Sequence, residues 1–487
     1  MRSFALLKLS RTIQVSLLFI SAGLAYSQLS PEQAKGKNIY LHGSHGGSGE
    51  ITAVLNGGNV VPASVVPCAG CHGRDGLGRT EGGVAVPALT WDRLTRGSDG
   101  NAPYTRTLLK RAVCMGVSSR GLPLEVMPRY QLNTQDFDDL LAYLQVLDAD
   151  RDPGITDSEL RVGVILPSGP KLSTMRNAME SVLSAFENDL NHSGGIFERK
   201  LVLRFCEPPE SLSQRMGAIR AFLDRENIFA FVSSVVAGAE EQISALMQEH
   251  EVPLIGAFTL YPESSAHLNP YVFYLQPGIA EQARALVQFA ARNSRQKPLK
   301  IWISHESPMN VPELAKAECE VIDRPALADA VLLLSASEAQ RILALDHSLL
   351  QHPMYLIPGS LLTFDLQNLP QELRQRIYLA SPVLSSDATA GGLAWYQALA
   401  ARHQIAPDRI ATQWSALSAA LLFVEALKET GRNTSREQLI KMLEGINHFQ
   451  TGLLPPLTFG PNRRIGSLGS HVSSAADPSH SVWIDLD

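Results

Sequence analysis

The sequence predicts a chain of more than one domain, a small all-α domain followed by a larger α/β region. Three observations predict this. The chain has 487 residues, more than one hydrophobic core usually serves. The stretch "DADRDPGITDSEL" is acidic, carries Pro153 and Gly154 and has no apolar period, the signature of a connection between domains. Before it the apolar residues recur at helical spacing; after it short apolar runs alternate with helical patterns, as in a doubly wound parallel sheet.

Residues 1–27 precede both parts. Arg2, Lys8 and Arg11 lead into the apolar run "VSLLFISAGLA" and then "AYS", the plan of a secretory signal cut after Ser27. The apolar run is short for a membrane span, so the cleaved chain is expected to be soluble and periplasmic. Losing those three basic residues takes the formal charge from −6 to −9, and no basic stretch suited to a phosphate backbone is present. Nucleic acid is therefore not an expected partner.

In the first part, residues 28–150, "SPEQAKGKNIYLHG" reads as an opening helix in which Gly36 admits a close neighbour. The segment "HGSHGGSGEITAVLNGGNVVPASVVP" follows, with "ITAV" and "NVVPASV" flanking Asn56-Gly57-Gly58 as a short hairpin. Its His42 and His45 read as solvent-facing loop residues. Next comes "PCAGCHGRDGLG". A zinc site would need two further ligands at matching spacing, whereas Cys114, Cys206 and Cys319 are isolated in sequence. A thioredoxin-like dithiol would sit in a βαβ unit, whereas a glycine-rich loop follows His72. The reading that remains is one covalent haem c: Cys68 and Cys71 form thioethers with its vinyl groups and His72 turns its ring onto the iron. A second axial ligand is offered by Met127, whose loop is stiffened by Pro128. Met115, in "AVCMGV", is the competing sulfur and reads better as part of a packed helix or turn. Thr134 then caps a closing helix with Phe137, Leu140, Leu141 and Leu144 on one face.

"GKNIY", "CAGCHG", "MPRY" and "LLAYL", in that order, make residues 28–150 resemble class I cytochrome c. The resemblance implies that Gly36 and Tyr40 cross the final helix near Tyr143, that His72 is the proximal ligand and Met127 the distal one, and that the domain transfers single electrons. The insert between opening helix and haem motif departs from the family.

Residues 151–159 are the expected linker. Beyond them "RVGVIL" and "KLVLRF" read as strands around a helix over 173–192 that stops at Gly194-Gly195. "RMGAIRAFLD", "IFAFVSS", "GAEEQISALMQEH" and "VPLIGAF" continue the alternation. "GVILPSGP", "NDLNHSGGI", "AFVSSVVAG", "VPLIGAFT", "WSALSAALLFVEALKETG" and "LPPLTFGPNRRIG" fall in an order that resembles the type I periplasmic binding proteins of the branched-chain amino-acid family over residues 160–487. That resemblance implies two α/β lobes joined by crossings near "YLQPG", "ASPVL" and "PPLTF". It also implies a small-ligand seat at Ser233, Ser234, Ala257, Phe258 and Thr259. Two departures accompany it. The segment from Ile301 to Ser335 looks compressed to a short helix or loop, and Gly359-Ser360 stands where amino-acid binders offer a carboxylate, so the cleft is expected to bind something uncharged or nothing tightly; tight amino-acid binding would require Glu306 or Asp387 to take over the ammonium. Trp414 reads as core.

No catalytic constellation is evident, so the chain is read as a non-enzyme. The expected function is a periplasmic electron carrier whose second domain binds a small ligand or docks a partner. Its redox partner would be a periplasmic quinoprotein dehydrogenase or a terminal oxidase. The alternative is a solute receptor for ABC uptake or sensing whose haem reports redox state.

Overall fold

A computed structural model describes residues 29–45, 50–78, 80–81, 84–97, 102–263, 268–304, 319–344, 354–432 and 434–486. The signal segment 1–27 and Glu306 lie outside the described residues. The chain divides into two compact units, Met1–Asp150 and Arg151–Asp487.

The first unit is built on helices α1 (Pro31–His42), α2 (Cys68–His72), α3 (Trp91–Arg96), α4 (Arg106–Met115) and α5 (Thr134–Leu144). Helix α1 starts on a capping box: the Ser30 hydroxyl accepts from the Gln33 N–H, and the Gln33 side chain accepts from the Ser30 N–H. It crosses α5 at Gly36, where a Cβ would lie 2.0 Å from the Asp139 carbonyl oxygen. Only glycine permits that approach, and it brings the rings of Tyr40 and Tyr143 to 5.6 Å. Helix α5 is capped by Asn133, one residue before the expected cap, through a bond from the Asp136 N–H at 2.9 Å.

The insert folds as the expected hairpin. Strands β1 (Thr52–Val54) and β2 (Val60–Pro62) pair antiparallel around the Asn56-Gly57-Gly58 turn. The helical unit carries more sheet than the sequence suggested. A two-stranded pair, β3 (Thr80–Glu81) and β4 (Val84–Ala85), follows the haem motif, and β1 also pairs with β5 (Arg129–Gln131). The partners β1 and β5 lie more than seventy residues apart, so no local pattern announces them.

In the second unit the first lobe is a five-stranded parallel sheet of β6 (Glu159–Ile165), β7 (Lys200–Cys206), β8 (Ala230–Val232), β9 (Leu254–Ile255) and β10 (Val272–Phe273), in the order β10-β9-β8-β6-β7. Its inner strands β8 and β9 are apolar on both faces because both are covered. Phe231 and Leu254 face helices α7 (Leu212–Glu226) and α8 (Glu240–Glu249), while Val232 and Ile255 face α6 (Ser173–His192). The second lobe places α9 (Ile279–Asn293) on a seven-stranded sheet. Strands β11 (Leu299–Ile303), β12 (Cys319–Val321), β13 (Ala330–Leu332), β14 (Met354–Pro358) and β15 (Ile377–Ser381) are parallel, with α10 (Ala336–Ala344) on the other face and α11 (Gln371–Arg374) before β15. The segment 301–335, expected to be a short helix or loop, instead carries the end of β11 and all of β12 and β13, because the apolar "VLLL" and "IWI" runs enter the sheet as buried strands. Residues 305–318 lie outside the described residues.

After β15 the chain returns to the first lobe as α12 (Ala390–His403), α13 (Ile410–Thr430) and α14 (Arg436–Glu444). Helix α13 is apolar and long enough to cross a membrane, yet it packs into the first-lobe core, where Trp414 is buried edge-on to Tyr396. The chain then runs back beside the first crossing, with the Tyr274 N–H donating to the Arg464 carbonyl and the Ser467 N–H to the Leu275 carbonyl. It closes the second sheet with antiparallel β16 (Gly469–Ser474) and β17 (Asp477–Asp485). The third crossing thus falls a few residues beyond "PPLTF". The connecting segment 151–159 is also less open than expected. Ile155 is buried in the first-lobe core, and the Asp152 carboxylate accepts from the Arg436 N–H at 2.6 Å.

Candidate functional site

Helix α2 is one turn long and follows Pro67, whose fixed φ needs no N–H at a helix start. Three-residue spacing within that turn puts Cys68 and Cys71 on one side. Cys68 packs against the core of the first unit and burial pushes its thiol up to about 12, whereas Cys71 is exposed. Both are free thiols, and both line one cavity of about 480 Å³, a size suited to a cofactor.

His72 is buried and also lines this cavity. Its Nδ1 lies 2.9 Å from the Pro87 carbonyl oxygen. A carbonyl only accepts, so Nδ1 carries the proton and Nε2 keeps the free lone pair, the form that ligates a metal. Burial lowers the His72 pKa, which favours that neutral ring. Pro87 was not foreseen. It belongs to the loop that folds back after the motif, where the Gly78 N–H donates to the His72 carbonyl and the Leu89 N–H to the Gly76 carbonyl. A Cβ at Gly78, whose φ is +79°, would meet the Val86 carbonyl at 2.3 Å, so the glycine-rich run is what lets Pro87 reach the imidazole.

Met127 lines the same cavity, at the end of a loop that begins after α4. Met115 is 63% exposed and does not line it. Neither do His42 and His45, of which His42 is exposed. The wall is otherwise apolar, with Leu94, Leu109, Val113, Leu140 and Leu144, and its charged members are Arg93 and Glu125, both exposed. Tyr40 and Tyr130 complete it. The Tyr40 hydroxyl donates to the Gly73 carbonyl at 2.6 Å, and the Tyr130 hydroxyl to the Val66 carbonyl at 2.5 Å. Tyr130 is the last residue of "MPRY", and its fixed offset from Met127 is the signal the sequence carries for it.

These residues fit a covalently held haem. Two thiols stand beside a buried imidazole with a free Nε2, a thioether sits in the same apolar cavity, and the soft sulfur and imidazole donors are those of a low-spin haem iron. Cys114 lies on α4, Cys206 ends β7 and Cys319 starts β12, so the remaining thiols fall on three separate elements.

The ligand seat expected in the first lobe is arranged differently. Ser233 has no exposed surface, holds φ +49° and donates its hydroxyl to the Ala416 carbonyl at 2.7 Å. Ser234 is equally buried; its hydroxyl donates to the Val232 carbonyl and accepts from the Ile165 N–H. The N–H groups of Ala257 and Phe258 donate to the Phe273 and Ser234 carbonyls. Thr259 is part-exposed and donates to Glu240 at 2.6 Å. Ser360, after β14, is bonded to the buried Gln282 amide. Asp387 spends one carboxylate oxygen on His471 Nε2 at 2.8 Å and the other on the Leu384 N–H at 2.7 Å.

A cytochrome c family model matches residues 64–148 and a periplasmic binding protein model matches residues 159–301. A search of the curated proteins returns no match. Among solved structures, the chain is similar to a branched-chain amino acid ABC transporter protein from Thermus thermophilus with bound valine. The two share 16% identity at a TM-score of 0.51, over 67% of this chain and 96% of that one. A fatty acid ABC transporter substrate-binding protein from Thermomonospora curvata shares 15% identity at a TM-score of 0.52, over 69% and 94%. An ABC transporter substrate-binding protein from Desulfitobacterium hafniense shares 15% at 0.53, over 66% and 99%. At these identities the likeness is one of fold. The chain carries a helical cytochrome c region followed by an α/β periplasmic-binding-protein fold. The first implies a covalently attached haem, electron transfer and a redox partner; the second implies ligand binding. Both families are typically periplasmic and non-catalytic.

Proposed function

We propose that the chain is a periplasmic electron carrier holding one haem c per chain on residues 28–150, with residues 160–487 binding a small ligand or docking a partner. The observation that carries this reading is the single apolar cavity shared by Cys68, Cys71, His72 and Met127. Cys68 and Cys71 would hold the group covalently, and His72 Nε2 and the Met127 sulfur would be the axial donors. When bound, haem c supplies a one-electron iron couple. The protein's part is to exclude water with the leucine and valine walls, fix the imidazole through Pro87 and leave Cys71 at the exposed edge.

Residues 1–27 would act as a cleavable export signal and residues 151–159 would connect the two parts. The electron donor or acceptor is expected to be a quinoprotein dehydrogenase or a terminal oxidase of the same compartment. The second reading, a solute receptor for ABC uptake or sensing whose haem reports redox state, is supported by the two-lobed fold. The internal bonding of Ser233 and Ser234 weighs against it. Expression with haem-maturation machinery tests the proposal. The mass should rise by one haem, a one-electron redox titration should follow, and Cys68→Ala with Cys71→Ala should remove the covalent haem. A mature protein without bound haem would overturn the electron-carrier reading.

A further inference from the structure

We propose that Tyr130 is a positioning residue for Met127, and that the insert strand β1 is its second anchor; this rests on the reading of Met127 as an axial ligand. The loop carrying Met127 has little burial of its own. Leu122, Glu125 and Val126 are exposed, and Met127 and Pro128 are only part-buried. Such a segment opens at low cost unless its ends are held. On the N-terminal side the Leu124 N–H donates to the Gly116 carbonyl at 2.7 Å.

On the C-terminal side the first buried residue after Met127 is Tyr130, 6% exposed. Two contacts of different origin hold it. Its backbone pairs with Ala53 in the β1–β5 ladder, reinforced by the Thr52 hydroxyl donating to Gln131 Oε1 at 2.8 Å. Its phenol crosses the domain to the Val66 carbonyl at 2.5 Å. Val66 stands two residues before Cys68, and Pro67 between them has a restricted φ. The phenol therefore ties the segment bearing the methionine to the segment bearing the thiols and the imidazole. Burial pushes the phenol pKa up, so the hydroxyl remains a donor throughout the working range. The insert earns its place here because β1 supplies the strand on which β5 is registered.

The test uses full-length ferric holoprotein titrated with imidazole at fixed pH, reading the weak sulfur-to-iron band at the red end of the spectrum as imidazole replaces the Met127 sulfur. In Tyr130→Phe the band should persist, but imidazole should bind about three- to tenfold more tightly, the factor one lost hydrogen bond represents. Thr52→Val, an isosteric change at a part-buried position, should move the affinity the same way by about twofold. Tyr143→Phe removes a phenol bond outside the cavity wall, to Asp150 Oδ2 at 2.9 Å, and should lower thermal stability while leaving imidazole affinity unchanged. Equal affinity in wild type and Tyr130→Phe, or an equal shift in Tyr143→Phe, would overturn the positioning role. If Tyr130→Phe fails to mature, an unchanged affinity in Thr52→Val overturns it. A wild-type protein without the band, or a Met127→Ala variant that keeps it, would instead sink the ligand reading on which the proposal rests.

Discussion

His72 donates its Nδ1–H to the Pro87 carbonyl across fifteen residues of glycine-rich loop, and this fixes which ring nitrogen is left for the cavity. The Met127 thioether borders the same cavity, whereas the Met115 sulfur is on the surface. Met127→Ala should therefore abolish the sulfur-to-iron band of the ferric protein, and Met115→Ala should leave it intact. Absorption spectra of the two purified variants decide between the sulfurs.

Residues 28–150 are expected to fold and take up haem alone. The first unit has its own core, in which Tyr40, Phe137, Leu140 and Tyr143 are almost fully buried. Expression of this fragment with haem-maturation machinery should give soluble protein with one covalent haem. Insoluble or haem-free fragment, under conditions where the full chain matures, would count against independent folding.

Gly36→Ala should destabilise the first unit. The new Cβ would fall 2.0 Å from the Asp139 carbonyl and 2.8 Å from the Tyr143 Cβ, so α1 and α5 must separate. Overpacking of this kind costs about 1–3 kcal/mol, and each kcal/mol lowers Tm by about 4 °C in a domain of this size. Thermal unfolding followed at the haem absorption reads it directly.

Ordinary amino acids should bind the second unit weakly. Ser233 and Ser234 are sealed by bonds to Ala416 and Val232, and Asp387 is engaged by His471 and the Leu384 N–H. An ammonium without a carboxylate partner forfeits about 2–3 kcal/mol, roughly a hundredfold in affinity. Calorimetry of the full chain with leucine, valine and glutamate should show no saturable micromolar binding. Such binding for any of them would mean that the lobes rearrange around the ligand and free these groups.

What the sequence determined by itself was whatever local spacing encodes. The Cys-x-x-Cys-His run, the Met127-Pro128 pair, the Asn56-Gly57-Gly58 turn and the helix over 173–192 are each written in consecutive residues, because thioether chemistry, backbone dihedrals and helical period act over a few positions. The alternation of strands and helices was readable for the same reason. Tertiary structure alone decided the pairings between distant segments. The ladder joining Ala53 to Tyr130, the phenol bond from Tyr130 to Val66, and the Ser233 hydroxyl turned to Ala416 across 183 residues depend on which backbones the packed cores bring together. Hydroxyl and phenol groups carry no mark in sequence of whether they will face a ligand or a carbonyl. That choice follows from the requirement that each buried donor find an acceptor once the core has closed.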